Sequence, residues 1–291
     1  MRTDEPGRPR VLPFPAESPS YTGSTDTPPT EDPESPWRDN EAWRLRSAET
    51  TRRPTSLLSH RRPDATMDDA HKIQRHGTAL RVADGAHVVG HKVGLTSAAM
   101  QKQFGIDQPD SGLLLDSMAV DENDRLHIGD LVAPRVEGEL AFQVGSDLAG
   151  ADVSEEAIRD GIASTFLALE VIDSRYGFEG LTLVDSVADN AACARFVLGV
   201  SVPGLVPELE GEHLTCTVNS AVAAAGFGRA ILGDPIRSVA WLVRQLAAFG
   251  TGLRAGDIVL AGAVHASIPL KSGQTVTVSS PRLPQAVLHV A

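Results

Sequence analysis

The sequence predicts an α+β protein, and three observations carry that reading. Beyond an N-terminal helical part, segments of strand character follow one another with only two helical interruptions and no strict alternation. An apolar content of 42% over 291 residues is ample for a buried core. No Gly-x-Gly-x-x-Gly follows a strand, and neither a P-loop nor a His-Glu-x-x-His segment is present, which disfavours dinucleotide, nucleoside triphosphate and zincin chemistry. The chain carries no internal repeat.

In order along the chain, nine of the nineteen prolines fall in the first 36 residues, among Ser, Thr, Asp and Glu. Such a stretch buries too little apolar surface to offset its ordering entropy. Residues 1–38 are therefore expected to be a disordered tail, or the product of a start site placed too early. Residues 39–291 are expected to form a single domain, with a helical part over 39–85 and a β-rich core over 86–291. Helices are expected from Asn40 and over Met67–Asp84. Strands are expected over 87–95, 131–145, 165–173, 195–200, 214–221, 257–264 and 274–280. Between them, Ser154 caps a helix reaching Ser164, with Glu155 and Glu156 in its first turn. Asp234, Pro235 and Gly250 bound the clearest helix of the chain.

The net charge of −12 argues against a nucleic-acid surface. Two cysteines, Cys193 and Cys216, are too few for a disulfide framework or a four-cysteine zinc site, and are expected as small buried residues in a reducing compartment. With no signal-like start and no run of about 18 apolar residues, the expectation is a cytoplasmic protein with no membrane association.

The informative stretch is Arg135–Val144. As a strand it places Val136, Leu140, Phe142 and Val144 on one face and Glu137 and Glu139 on the other, the two glutamate Cα atoms roughly 7 Å apart. Taken alone, such a pair is a solvated strand face. Glu170, however, is the single charge in Phe166–Ile172, a run apolar on both sides and so expected to be central and covered. An unpaired carboxylate there costs several kcal/mol or takes up a proton. If Glu170 shares a cavity with Glu137 and Glu139, a cation is required, and all-oxygen ligation suits Mg2+ or Mn2+. Lys92 likewise interrupts an apolar strand between Gly90 and Gly94, with Asp110, in a Gln108–Gly112 turn, as its candidate partner.

Seven segments, in order, resemble the 2-keto-4-pentenoate hydratase branch of the fumarylacetoacetate hydrolase superfamily. They are DAHKIQ (69–74), GHKVGLTSAAM (90–100), QPDSGLLLDSM (108–118), PRVEGELAFQV (134–144), ALEVIDSR (168–175), VADNAACARFVLG (187–199) and AWLVRQLAAFGTGLRAGDIVLAGAV (240–264). The resemblance runs from about Glu41 to the C-terminus. It implies a mixed β-roll or sandwich core wrapped by a few helices, a homo-oligomer, and Mg2+ or Mn2+ on Glu137, Glu139 and Glu170. It also implies Lys92 as the active-site lysine with Asp110 as its acid, and a small 2-oxo acid substrate, hydrated in aromatic or steroid breakdown, with a complex of enzymes of the same pathway as a further expectation.

Weaker substrate-binding candidates are Asp173 and Arg175 at the end of the Glu170 strand, Asn190 in the following turn, and His265 with Ser267. The sequence departs from the family pattern at His71 (commonly Tyr), at His91 (commonly Trp) and in the closing Ser280–Gln285 segment. Rival expectations are a 4-oxalocrotonate-type decarboxylase on the same scaffold, carbon–carbon bond hydrolysis of an acylpyruvate, and a non-catalytic partner subunit of a hydratase–decarboxylase complex.

Overall fold

Three helices come first among the described residues and pack on one another through a cluster containing Leu45, Leu58, Ile73 and Val187. The computed structural model describes residues 36–97, 101, 108–121 and 124–291. The tail expected over 1–38 lies outside these residues, except that Pro36–Arg38 open the first helix, α1 (Pro36–Thr51). The expected start at Asn40 is thus four residues late, because Trp37 packs against the helical cluster and Arg38 pairs with Asp69 at 2.6 Å. After α2 (Leu58–Arg61), α3 (Met67–Ala83) starts at a full capping box in which Thr66 and Asp69 satisfy each other's backbone N–H groups.

The body is two sheets. The larger has the order β2 (Asp110–Leu115), β1 (Val88–Gly94), β10 (Ile258–Ala263), β4 (Arg135–Val144), β5 (Ile162–Ile172) and β6 (Cys193–Leu198). Two short strands extend it, β7 (Val202–Pro203) on β5 and β11 (Ile268–Pro269) on β4. β1 and β10 run parallel and the other pairs antiparallel, so the sheet is mixed. The smaller has the order β3 (Arg125–Leu126), β13 (Ala286–Val290), β12 (Thr275–Ser279), β8 (His213–Val218) and β9 (Ala221–Phe227). Two-period alternation decides how they stack. Val136, Leu140, Phe142 and Val144 of β4, with Leu167, Leu169 and Val171 of β5, meet Leu214, Val276, Val278 and Leu288 of the second sheet in the main core.

Further α-helices with described bounds are α4 (Glu155–Asp160), α5 (Leu183–Ala188) and α6 (Pro235–Ala248). α6 starts at the Asp234 cap and Pro235 as expected, and buries Ile236, Val239, Leu242 and Val243 in the main core. The helix expected to reach Ser164 ends at Asp160, because Gly161 stops it and Ile162 already enters β5. The expected strand over 214–221 ends at Val218. Asn219 and Ser220 both adopt positive φ, the hairpin geometry that turns the chain into β9. The Gln108–Gly112 segment is not all turn, since Asp110 is the first residue of β2. β9, β13 and α5 were not foreseen: β9 is Ala-rich and largely exposed, and α5 is a single capped turn.

Candidate metal centre and active site

On the face of β4 and β5 turned away from the second sheet, the register brings the acids together. Glu137 lies directly opposite Glu170, and Glu139 opposite Ala168. Cross-strand partners share a face with Cβ atoms close together, so pairing alone places three carboxylates on one patch. All three are buried, and one oxygen from each lies within 4.8 Å of the others. Gly138 between them is set by a close approach: a Cβ there would lie 2.9 Å from His265 Nε2 and 3.1 Å from a Val278 methyl. The same ring accepts from the Gly138 N–H at 3.2 Å while its Nδ1 faces the Ala266 carbonyl at 2.9 Å. Burial holds His265 below the ordinary histidine value, hence neutral.

The carboxylates do not satisfy one another. Glu139 accepts from the Gly262 N–H at 3.0 Å, but among the described residues neither oxygen of Glu170 has a hydrogen-bond partner, and Lys92 Nζ stands 3.6 Å away. Burial and the charge of Glu170 push Glu137 up to about 8. Burial, with Glu170 and Glu137 beside it, raises Glu139 well above the carboxylate range. Burial also raises Glu170, against the pull of Lys92. A divalent cation removes this conflict, and an all-oxygen donor set with two orphaned buried oxygens fits a hard one.

Lys92 and Asp110 come from neighbouring strands, where Gly94 pairs with Asp110 and Lys92 with Gly112. Gly94 is required by space: a Cβ there would fall 2.3 Å from Asp110 Oδ1 and 2.6 Å from Lys92 Nζ. Burial opposes the charge on Lys92, but Glu170 and Asp110 outweigh it and hold the ammonium above the ordinary lysine value. Asp110 accepts from Ser186 Oγ at 2.5 Å, and its other oxygen is buried with no hydrogen-bond partner among the described residues. These groups border a cavity of about 310 Å3, of the size that takes a small metabolite. Lys92, Asp110 and Glu137 line it with Arg135, Ser186 and Ser267 at polar positions and Phe178, Leu181 and Ile172 at apolar ones.

The weaker candidates separate. Ser267 lines the cavity, whereas Asp173, Arg175, Asn190 and His265 do not. Asp173 accepts from the backbone N–H groups of Val132 and Ala133 at 2.8 and 2.6 Å. Arg175 is spent on Asp189 at 2.6 Å and on the carbonyls of Asp173, Cys193 and Asp189. Asn190 clamps Leu113 through both its N–H and its C=O. These contacts hold a turn in which Asn190, Ala191 and Ala192 all have positive φ, and Ala191 and Ala192 form part of the cavity wall. His71 and His91 are buried outside the wall. Sequence reasoning missed Arg135 and Ser186. Arg135 shares the odd-numbered face of β4 with the glutamates, and that periodicity was the available signal.

The fumarylacetoacetate (FAA) hydrolase C-terminal family matches over residues 83–291. The chain belongs to this family. Among its relatives, a 2-keto-4-pentenoate hydratase of Paraburkholderia phymatum is 38% identical over 238 residues, 81% of this chain and 90% of the relative. A 2-hydroxyhexa-2,4-dienoate hydratase of Comamonas testosteroni is 34% identical over 234 residues, 79% and 88% of the two chains. The fold is that of the 4-oxalocrotonate decarboxylase from Pseudomonas putida G7, solved with magnesium and adipate. That structure has a TM-score of 0.83 and 28% identity, and the match covers 88% of this chain and 97% of that one. The FAA hydrolase fold, with mixed sheets and few helices, is the α+β architecture expected. No helix among the described residues is long and apolar enough to cross a membrane.

Proposed function

We propose that this family member is a divalent-metal-dependent hydro-lyase that hydrates 2-hydroxypenta-2,4-dienoate, or a close analogue, to a 4-hydroxy-2-oxo acid. The observation that carries the reading is that Glu137, clustered with the buried Glu139 and Glu170, lines one small cavity with Lys92 and Asp110, and Lys92 also stands 3.6 Å from Glu170. Glu137, Glu139 and Glu170 would hold Mg2+ or Mn2+. When bound, the cation supplies Lewis acidity at the 2-oxygen of the acid. The chain's own groups then handle protons. Asp110 and Lys92 face the same end of the cavity, and as acceptor and donor they would take the 2-hydroxyl proton while one is delivered to C5, giving the conjugated ketone, and then take a proton from the water that adds at C4 while one is delivered to C3. The apolar side chains of Phe178, Leu181 and Ile172 suit the hydrocarbon part of the substrate. Ser186 holds Asp110 in place. A homo-oligomer, a cytoplasmic location and association with enzymes of the same pathway belong to the same reading.

Relatives at 34–38% identity carry hydratase names, which favours hydration. Decarboxylation is kept as a second reading because the decarboxylase shares the fold so closely. The test is to follow the ultraviolet absorbance of freshly generated 2-hydroxypenta-2,4-dienoate with EDTA and then with Mg2+ or Mn2+, identifying products by mass. Metal-dependent gain of one water is expected. No turnover, with CO2 released from 2-oxohex-3-enedioate, moves the assignment to the decarboxylase.

A further inference from the structure

Arg135 is a cation in the cavity wall that the proposed metal and proton chemistry leaves without a task. It lies one strand period from Glu137 on the same face of β4, at the end of the strand where β11 pairs. Its Nε donates to Ser267 Oγ at 2.6 Å and its Nη2 to the Ser267 carbonyl at 2.6 Å, and the guanidinium stands 6.0 Å from the centre of the Phe178 ring. Both hydrogen-bonding acceptors are neutral. Among the described residues no carboxylate pairs with this guanidinium, and Glu137 acts on it only at longer range. A guanidinium has five N–H donors, so Nη1 and one Nη2 hydrogen remain for a ligand.

Charge balance gives this group its role. With a divalent cation bound, the carboxylates of Glu137, Glu139, Glu170 and Asp110 exceed the cation and Lys92 by one negative charge. An anionic substrate entering that cluster is repelled unless another cation faces it. Resting on the 2-oxo acid reading above, we infer that Arg135, held by Ser267, receives the C1 carboxylate of the substrate and makes the site selective for 2-oxo acids over their neutral analogues. A guanidinium clamped in this way offers a planar fork with little ordering left to do on binding.

The test measures binding rather than turnover. Titration calorimetry on the Mg2+-loaded protein compares pyruvate with pyruvamide, and 2-oxoadipate with 2-oxohexanoate. Arg135→Gln is expected to weaken pyruvate by on the order of 10- to 100-fold, the worth of one charge-assisted hydrogen-bond pair, while pyruvamide changes little. Arg135→Lys is expected to keep part of the preference, and Ser267→Ala to lower it to a smaller extent. Mn2+ binding, read by electron paramagnetic resonance, stays unchanged in each variant and certifies the fold and the metal site. An unaltered preference for pyruvate over pyruvamide in Arg135→Gln overturns the inference. So does a loss confined to the preference for 2-oxoadipate over 2-oxohexanoate, which would assign Arg135 to a distal carboxylate. A wild-type protein that holds metal but ignores pyruvate would sink the 2-oxo acid reading itself, and this inference with it.

Discussion

Two charged clusters lie buried a few residues apart in sequence, and they are built oppositely. Around Arg175 and Asp189 every group has a partner. Asp189 accepts from Arg175 Nε, the Arg175 N–H and Ser174 Oγ, and the remaining guanidinium donors reach carbonyls. Around Glu170 the carboxylates face one another, and among the described residues neither Glu170 oxygen accepts a hydrogen bond, with Lys92 Nζ 3.6 Å away. A satisfied buried ion pair specifies local structure, whereas an unsatisfied one signals an absent ligand. The first cluster holds the left-handed Asn190–Ala192 turn against the cavity, and the second has the donor set for a cation.

The sharpest way to break this contrast is Glu170→Gln. Activity is expected to fall by at least about a thousandfold, roughly 4 kcal/mol of transition-state stabilisation, with loss of tight metal binding. The metal-free variant should melt within a few degrees of the metal-free parent, because relief of the carboxylate repulsion offsets loss of the Lys92 ion pair, which Asp110 still supports. Unchanged turnover would remove Glu170 from the ligand set. Asp189→Ala should do the reverse in the folding measurement. It strands Arg175 without its partner and is expected to cost about 3–5 kcal/mol in denaturant unfolding. A loss below about 1 kcal/mol would mean that the turn does not depend on this pair.

The smallest effect separates metal-bound from metal-free protein by pH. Glu137 is raised in the folded state to about 8, so the folded protein binds more protons than the unfolded one above the ordinary carboxylate range. Its contribution to stability is complete below about 4.5 and is lost as pH rises through about 8. In EDTA, Tm is therefore expected to fall over that window, and the gain on adding Mg2+ to widen. A gain independent of pH from 5 to 8 would argue against these carboxylates as ligands.

The odd-even pattern of Arg135–Val144 and the lone acid in Phe166–Ile172 were enough to pick out the three glutamates and the face of β4 that is apolar, because period-2 alternation is a property of any strand. Caps and stops were legible for the same local reason at Asp234 and Pro235, though Gly161 ended one helix sooner than expected. Sequence could not tell Arg175, which is spent on Asp189, from Arg135, whose hydrogen bonds among the described residues go to Ser267 alone. Each is an arginine near a strand end, and partner choice depends on groups 14 and 132 residues away.

What the sequence by itself determined is the family, the α+β class and which acids are out of place in apolar strands. What only the tertiary structure decided is register and company: that Glu137 sits opposite Glu170, that Gly94 leaves room for Lys92 beside Asp110, and that Asn190 braces Leu113 outside the cavity wall. The physical reason is that residue type and spacing fix how each strand would present its side chains, while pairing between distant strands fixes which of those side chains meet.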